Sequence, residues 1–277
     1  MERNKVHQTI ELEAGKVLVF GGVYSNLQAL EALKSICESK GIPAGQVICT
    51  GDIVAYCAQP EASVQLIRDW GIHAIAGNVE INLREEQEDC GCNFNEGGRC
   101  DLFSRQWYPL VQSKLSSDSI QWFHQLPDFI HFELNGWKTT VVHGSYFDTS
   151  EFVFESSPKT TFKTNFEASD SHLILAGHCG LPFHRQIKDK LWLNAGVIGM
   201  PANDGTPRVW YMILDFGNDD FRFAHQSFEY DHRLAAELMR HHGLPESYAN
   251  TLETGLWDNC EILPERETQL TGQEILL

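Results

Sequence analysis

Four residues of this chain combine donor chemistry with one recurring context. Asp52 in Gly51-Asp52, Asn78 in Gly77-Asn78, His143 in His143-Gly144 and His178 in Gly177-His178 each stand where a short apolar run stops beside a glycine. A carboxylate, an amide oxygen and two imidazoles form a mixed oxygen and nitrogen set, which suits a first-row divalent ion such as Mn, Fe or Zn. Taken singly, the histidines read equally well as satisfied core residues, and the Gly-Asp and Gly-Asn pairs as ordinary turns. Four donors in the same structural slot favour one shared cation site.

The elements that must carry these donors follow from the runs before them. "VLVF" precedes Gly21-Gly22, "QVICT" precedes Gly51, "IHAIA" precedes Gly77, "TTVV" precedes His143, and "HLILA" precedes Gly177. Four or five β-branched and aliphatic residues in a row indicate strands of a sheet covered on both faces. Between the first strands lie helical patterns. "NLQALEALKSICESKG" sets Leu27, Leu30, Leu33 and Ile36 or Cys37 on one face, with Ser25 or Asn26 as cap and Gly41 as stop. "QPEASVQLIRDWG" repeats the scheme with Pro60 near its start and Gly71 after its end. Alternating strands and helices predict a layered α/β domain, whose ligands sit beyond the carboxyl ends of the strands. In the back half, "RQIKDKLWLN", "RVWYMILDF" and "FRFAHQSFEY" read as antiparallel strands of a second sheet, with "MPANDGTPR" as a hairpin connection.

The bulk properties narrow the function. A chain of 277 residues with 42% hydrophobic content supports one large domain or two small ones. A net charge of −17 argues against a broad nucleic-acid or anionic-membrane surface. It leaves room for a phosphorylated substrate, because a bound cation supplies local positive charge. The polar start "MERNKVHQTIELEAGK" and the lack of an apolar run near the roughly 18 residues of a membrane span predict a cytoplasmic protein.

The ordered series Gly51-Asp52, Gly77-Asn78-Val79-Glu80, His143-Gly144 and Gly177-His178 resembles the calcineurin-like metallophosphoesterase superfamily, in particular its small bacterial and archaeal phosphodiesterase branch. "GDIVAY", "AGHCGLPFHR" and "LNAGVIGMPANDGTPRVWYMILDF" carry the likeness over whole segments, so that it covers roughly residues 16 to 228. The resemblance implies a four-layer α/β/β/α sandwich of two mixed sheets flanked by helices. It also implies hydrolysis of phosphomonoesters or phosphodiesters by two metal ions sharing an aspartate. Carried over residue by residue, one metal keeps its full set in Asp52, Asn78, His143 and His178. The other does not: the family's opening Asp-x-His corresponds to Gly22 and Tyr24, and the last histidine of its Gly-His-x-His corresponds to Gly180. The resemblance therefore implies one divalent transition metal (Mn, Fe or Zn) and a second site stripped of ligands. Val79 stands where many relatives carry a proton-donating histidine, although the small branch often lacks it.

Tyr24 and Asn26 on the first loop are candidates for touching substrate or bracing the site. Tyr24 either fills the space of the missing ion, hydrogen-bonds a phosphoryl oxygen, or ligates ferric iron. Glu80 either orients a ligand histidine or is a solvated loop carboxylate. The insert at residues 84–101 holds Cys90, Cys92 and Cys100, read as a second metal or redox cluster or as incidental thiols in a polar lid. Cys179 reads as a small buried residue. The domain is expected over 1–228 and a helical extension over 229–277, packing on the domain or contacting another copy or a partner protein. In "DHRLAAELMRHHG", Leu234, Leu238 and Met239 are expected on one side. Three functions compete: a one-metal phosphoric ester hydrolase, a pseudoenzyme that binds a ligand or acts as a scaffold, and a cation site for non-phosphate chemistry.

Overall fold

The parity of side chains along each strand explains the layering. Between Lys16 and Phe20, Leu18 and Phe20 enter one core while Val17 and Val19 enter another. Between Leu173 and Ala176, Leu173 and Leu175 share the second core, and Ile174 and Ala176 enter a third. Such two-sided burial is why these runs are uniformly apolar rather than alternating.

The computed structural model describes residues 4–217 and 221–277; residues 1–3 and 218–220 of the expected 1–228 domain lie outside the described residues. Strands β1 (His7–Thr9), β2 (Lys16–Phe20), β3 (Val47–Cys49) and β4 (His73–Ala74) alternate with helices α1 (Leu27–Ser39) and α2 (Pro60–Trp70). Helices α3 (Asn78–Arg84), α4 (Arg99–Lys114) and α5 (Ser117–Phe123) lead to β5 (Phe129–Leu134) and β6 (Trp137–Val141). Then come α6 (Lys159–Ser169), β7 (Leu173–Ala176), β8 (Pro182–Ile187), β9 (Lys190–Ala195), β10 (Val209–Asp215) and β11 (Arg222–Phe228). Helices α7 (His232–His241), α8 (Glu246–Thr254) and α9 (Glu265–Gln269) close the chain.

The two sheets run β1-β5-β6-β7-β9-β8 and β11-β10-β2-β3-β4, and both mix parallel with antiparallel pairs. Core residues of β2, β3, β7 and β10 meet between them. Helices α1, α2, α4, α7 and α8 cover the five-stranded sheet, and Phe162 and Phe166 of α6 cover the six-stranded one. The α/β/β/α sandwich expected from the resemblance is the fold. Asn26 caps α1 by accepting from Ala29 N–H at 3.2 Å, and Gly71 ends α2 at φ 72°.

Two expectations for the back half are corrected. Strands β10 and β11 do not belong to a second sheet with β8 and β9. Instead, β10 pairs antiparallel with β2, in register Met212↔Val19, and so extends the first sheet. "MPANDGTPR" is accordingly a crossover between sheets rather than a hairpin. Its turn residues close a local loop, in which Asp204 Oδ1 accepts from Thr206 N–H at 3.1 Å and from its hydroxyl at 2.6 Å.

In the extension, α7 packs against α1 and α8. Of the expected face, Met239 is buried and Leu238 packs against the core, but Leu234 is 41% exposed, and Ala235 and Ala236 complete the buried side in its place. Among the described residues, no helix is long and apolar enough to cross a membrane.

Candidate metal centre

Asp52, Asn78, His143 and His178 leave the ends of β3, β4, β6 and β7 and meet at one point. His143 Nε2 lies 3.1 Å from Asp52 Oδ2, 3.1 Å from Asn78 Oδ1 and 3.1 Å from His178 Nδ1. All four side chains are buried. The candidate atoms of Asp52, His143 and His178 lie within 4.8 Å of one another.

Each donor is aimed by a neighbour. His143 Nδ1 donates to the Thr50 carbonyl at 2.6 Å, which turns Nε2 inward. Asn78 Nδ2 donates to Cys90 O at 2.8 Å and to Cys92 Sγ at 3.2 Å, which leaves Oδ1 facing the histidines. His178 is stacked on Phe152 with ring centroids 4.2 Å apart. Asp52 and His178 sit at φ 56° and 61°, a left-handed backbone that non-glycine residues adopt at a cost. Gly77 allows the closest approach: a Cβ there would lie 2.5 Å from Asp52 N and 2.9 Å from Asp52 Cγ.

Glu80 does something neither expectation described. Its carboxylate is fully buried and accepts N–H from Asp52 at 2.9 Å, Gly77 at 2.9 Å and Val54 at 3.1 Å. It therefore pins the backbones of two donor loops rather than orienting a histidine, and it is not solvated. Burial, and then the neighbouring Asp52 charge, push its carboxyl upward against the Val54 and Gly77 N–H bonds.

The donor set fits one divalent cation. Three of the four inward atoms bear lone pairs that face the lone pair of His143 Nε2, and a single proton can satisfy only one such contact. Ligands at right angles about 2.1 Å from an ion lie about 3.0 Å apart, close to the spacing here. Burial opposes charge on Asp52 and on His143, but their mutual attraction outweighs it. The carboxyl therefore titrates below its usual value and the imidazole above. Burial, with His143 beside it, pushes His178 down to about 3, which keeps its ring neutral.

Positions 22, 24 and 180 are built differently. A Cβ at Gly22 would lie 2.5 Å from Tyr24 Cζ and 2.9 Å from Cδ1, so the Tyr24 ring covers that glycine. A Cβ at Gly180 would meet two ring carbons of Trp257 at 3.3 Å. Asn26 uses its amide elsewhere, donating to Gly199 O at 3.1 Å and to the Tyr230 hydroxyl at 2.9 Å. All eight cysteines are free, and Cys179 is buried. Cys90, Cys92 and Cys100 do not gather into a three-ligand group; among the described residues that grouping is formed by Asp52, His143 and His178. The insert instead turns Asn78 through Cys90 and Cys92. Sequence reading missed Phe152 and Trp257, and no local spacing marks either one.

The sequence model of the calcineurin-like phosphoesterase superfamily domain matches residues 16–240. An uncharacterized protein of Methanocaldococcus jannaschii is 27% identical over 257 residues, 86% of this chain and 98% of its own. The fold is similar to that of a metallophosphoesterase from Sphaerobacter thermophilus, with a TM-score of 0.68 and 24% identity over 88% of this chain and 100% of that one. It is also similar to a hypothetical protein from Pyrococcus horikoshii, with a TM-score of 0.72 and 16% identity over 87% and 99%.

Proposed function

Because the chain belongs to the calcineurin-like phosphoesterase superfamily, we propose that it hydrolyses a phosphomonoester or phosphodiester of a small molecule, using one divalent cation (Mn, Fe or Zn). Asp52, Asn78, His143 and His178 hold that cation. The observation carrying this reading is the set of three 3.1 Å approaches to His143 Nε2 by atoms that bear lone pairs. A cation held there would supply the charge that polarises a phosphoryl group and acidifies water. Asp52 and Asn78 fix its position through loops anchored by Glu80 and by the Cys90–Cys92 turn. Restriction to one cation is supported by Tyr24 over Gly22 and Trp257 against Gly180, two rings where the family's other ligands belong. Among the described residues, no lysine or arginine lines the adjoining cavity to replace a second charge. Losing one such electrostatic group costs about 3–4 kcal/mol, roughly 100- to 1000-fold in rate, so generic phosphodiesters are expected to turn over slowly.

The test is metal content of protein purified without chelator, with hydrolysis of bis-p-nitrophenyl phosphate in Mn before and after Asp52→Asn. One ion per chain and activity lost in the variant are expected; a protein that takes up no ion sinks the reading. The same two rings favour a second reading, a module that binds its ligand without hydrolysis. Nucleotide or phosphate binding by calorimetry with no turnover of any ester would select it.

A further inference from the structure

Beside the four donors lies a cavity of about 90 Å³, with Asp52 and His178 in its wall. That is several times the roughly 10–15 Å³ that a single water needs, so it admits a ligand group. Besides the His178 imidazole, six rings line it: Tyr24, Tyr56, Phe94, Phe152, Tyr248 and Trp257. Tyr24 meets Tyr56 edge-on at 4.7 Å, and Tyr56 meets Tyr248 at 5.1 Å, so three of them form a continuous aromatic wall. Trp257 is held at both ends, its backbone N–H donating to Asn203 Oδ1 and its indole N–H to Pro201 O, each at 2.8 Å.

Three of these six rings belong to the cysteine insert and the C-terminal extension. Tyr248 and Trp257 come from the C-terminal extension and Phe94 from the cysteine insert. The two segments are clasped to each other. Arg99 Nη2 bonds Asp258 Oδ1 at 2.6 Å, and Glu261 accepts the backbone N–H of Arg99 at 2.9 Å and of Cys100 at 3.2 Å.

We propose that this cavity takes the aromatic ester group of a phosphoester whose phosphoryl end lies at the Asp52–Asn78–His143–His178 centre, and that residues 229–277 serve to complete that subsite. The proposal rests on the single-cation reading above. Flat apolar walls favour a ring through edge and face contacts. The lack of a lysine or arginine in the lining, among the described residues, disfavours a second phosphate there, which would need one. A phosphoester carrying one aryl group, rather than a polyphosphate, matches both conditions.

The experiment compares phenylphosphonate with methylphosphonate on Mn-loaded full-length protein by calorimetry, and phenol on metal-free protein by saturation-transfer NMR. Phenylphosphonate is expected to bind at least about tenfold tighter than methylphosphonate, equivalent to roughly 1.4 kcal/mol. Trp257→Ala should erase that preference and the phenol signal while Mn affinity, read by electron paramagnetic resonance, holds. Tyr248→Ala gives an independent removal on another element, should Trp257→Ala fail to fold. Tyr248→Phe keeps the ring and should retain the preference. Equal binding of the two phosphonates by a protein that binds Mn overturns the proposal, as does a Tyr248→Phe loss as large as that of Tyr248→Ala. Phenol binding that responds to Trp257→Ala in a protein that takes no Mn upholds the aryl subsite and rejects the single-cation reading.

Discussion

Replacing Glu80 by glutamine tests whether a buried carboxylate, itself no ligand, sets the geometry of the centre. In the native chain Oε2 accepts from Asp52 N–H and Gly77 N–H, each at 2.9 Å, and Oε1 accepts from Val54 N–H at 3.1 Å. Glutamine has one oxygen. Placed against Asp52 and Gly77, it turns its NH2 toward Val54 N–H and leaves a buried donor unpartnered. Such a donor costs about 1–3 kcal/mol. A chain of this size loses about 2–4 °C of Tm per kcal/mol, so Glu80→Gln should melt about 2–12 °C lower by calorimetry. The loosened Asp52 and Gly77 loops should also weaken Mn binding by roughly 10- to 100-fold, the usual effect of losing a residue that braces a metal ligand. Glu80→Ala orphans all three N–H groups, a cost that approaches the whole stability of an ordinary domain, about 5–15 kcal/mol. A Glu80→Gln protein with native Tm and native Mn affinity refutes the reasoning.

Mn at 100 times its Kd should add about 2.7 kcal/mol of stability, raising Tm by roughly 5–11 °C; chelator or Asp52→Asn should abolish the rise, and a flat response to Mn, Fe and Zn alike would contradict the donor-set argument. Gly22→Asp alone should cost about 1–3 kcal/mol, because its Cβ meets the Tyr24 ring. In a Tyr24→Ala background, which itself loses buried packing, Gly22→Asp should cost much less than it does alone, and a single variant as stable as the native chain would show that the ring does not fill that place. His225 is buried, donates through Nε2 to Asn194 O at 2.8 Å, and is pushed by burial down to about 4. The unfolded chain takes up that proton near pH 6.5, so stability is full above pH 6.5 and falls by roughly 3 kcal/mol as pH drops toward 4. Urea melts of His225→Gln across that range should lose this slope; an unchanged slope removes the assignment.

The convergence of Asp52, Asn78, His143 and His178 was legible because each is tied to a local rule: an apolar run ends, a glycine turns the chain, and a polar side chain stands at the strand tip. Sheet membership was less legible. "RVWYMILDF" has the strand pattern it needs, yet its partner β2 lies about 190 residues earlier, and nothing local specifies that pairing. Asn203-Asp204-Gly205 misled for a related reason. These residues do make a turn, but one inside a crossover, where Asn203 Oδ1 is used to hold Trp257 rather than to close two adjacent strands.

The extension was least legible where it matters most to the site. Helical periodicity placed Leu238 and Met239 correctly but not Leu234, because the small Ala235 and Ala236 turn the buried side of α7 away from it. Trp257 has no periodic signature at all. Its place against Gly180 follows from two hydrogen bonds to residues 54 and 56 positions away. Gly180 and Trp257 look unrelated in sequence, yet they meet in space: a side chain at 180 would press on that indole. Gly180→His carries a backbone strain at φ 79° in any background, and the further crowding against Trp257 should be relieved when that ring is cut back. The Gly180→His/Trp257→Ala pair should therefore melt higher than the sum of its two single losses, by 0.5–3 kcal/mol or so as contacting residues couple. Strict additivity in that double-mutant cycle would mean that the two positions do not share the space.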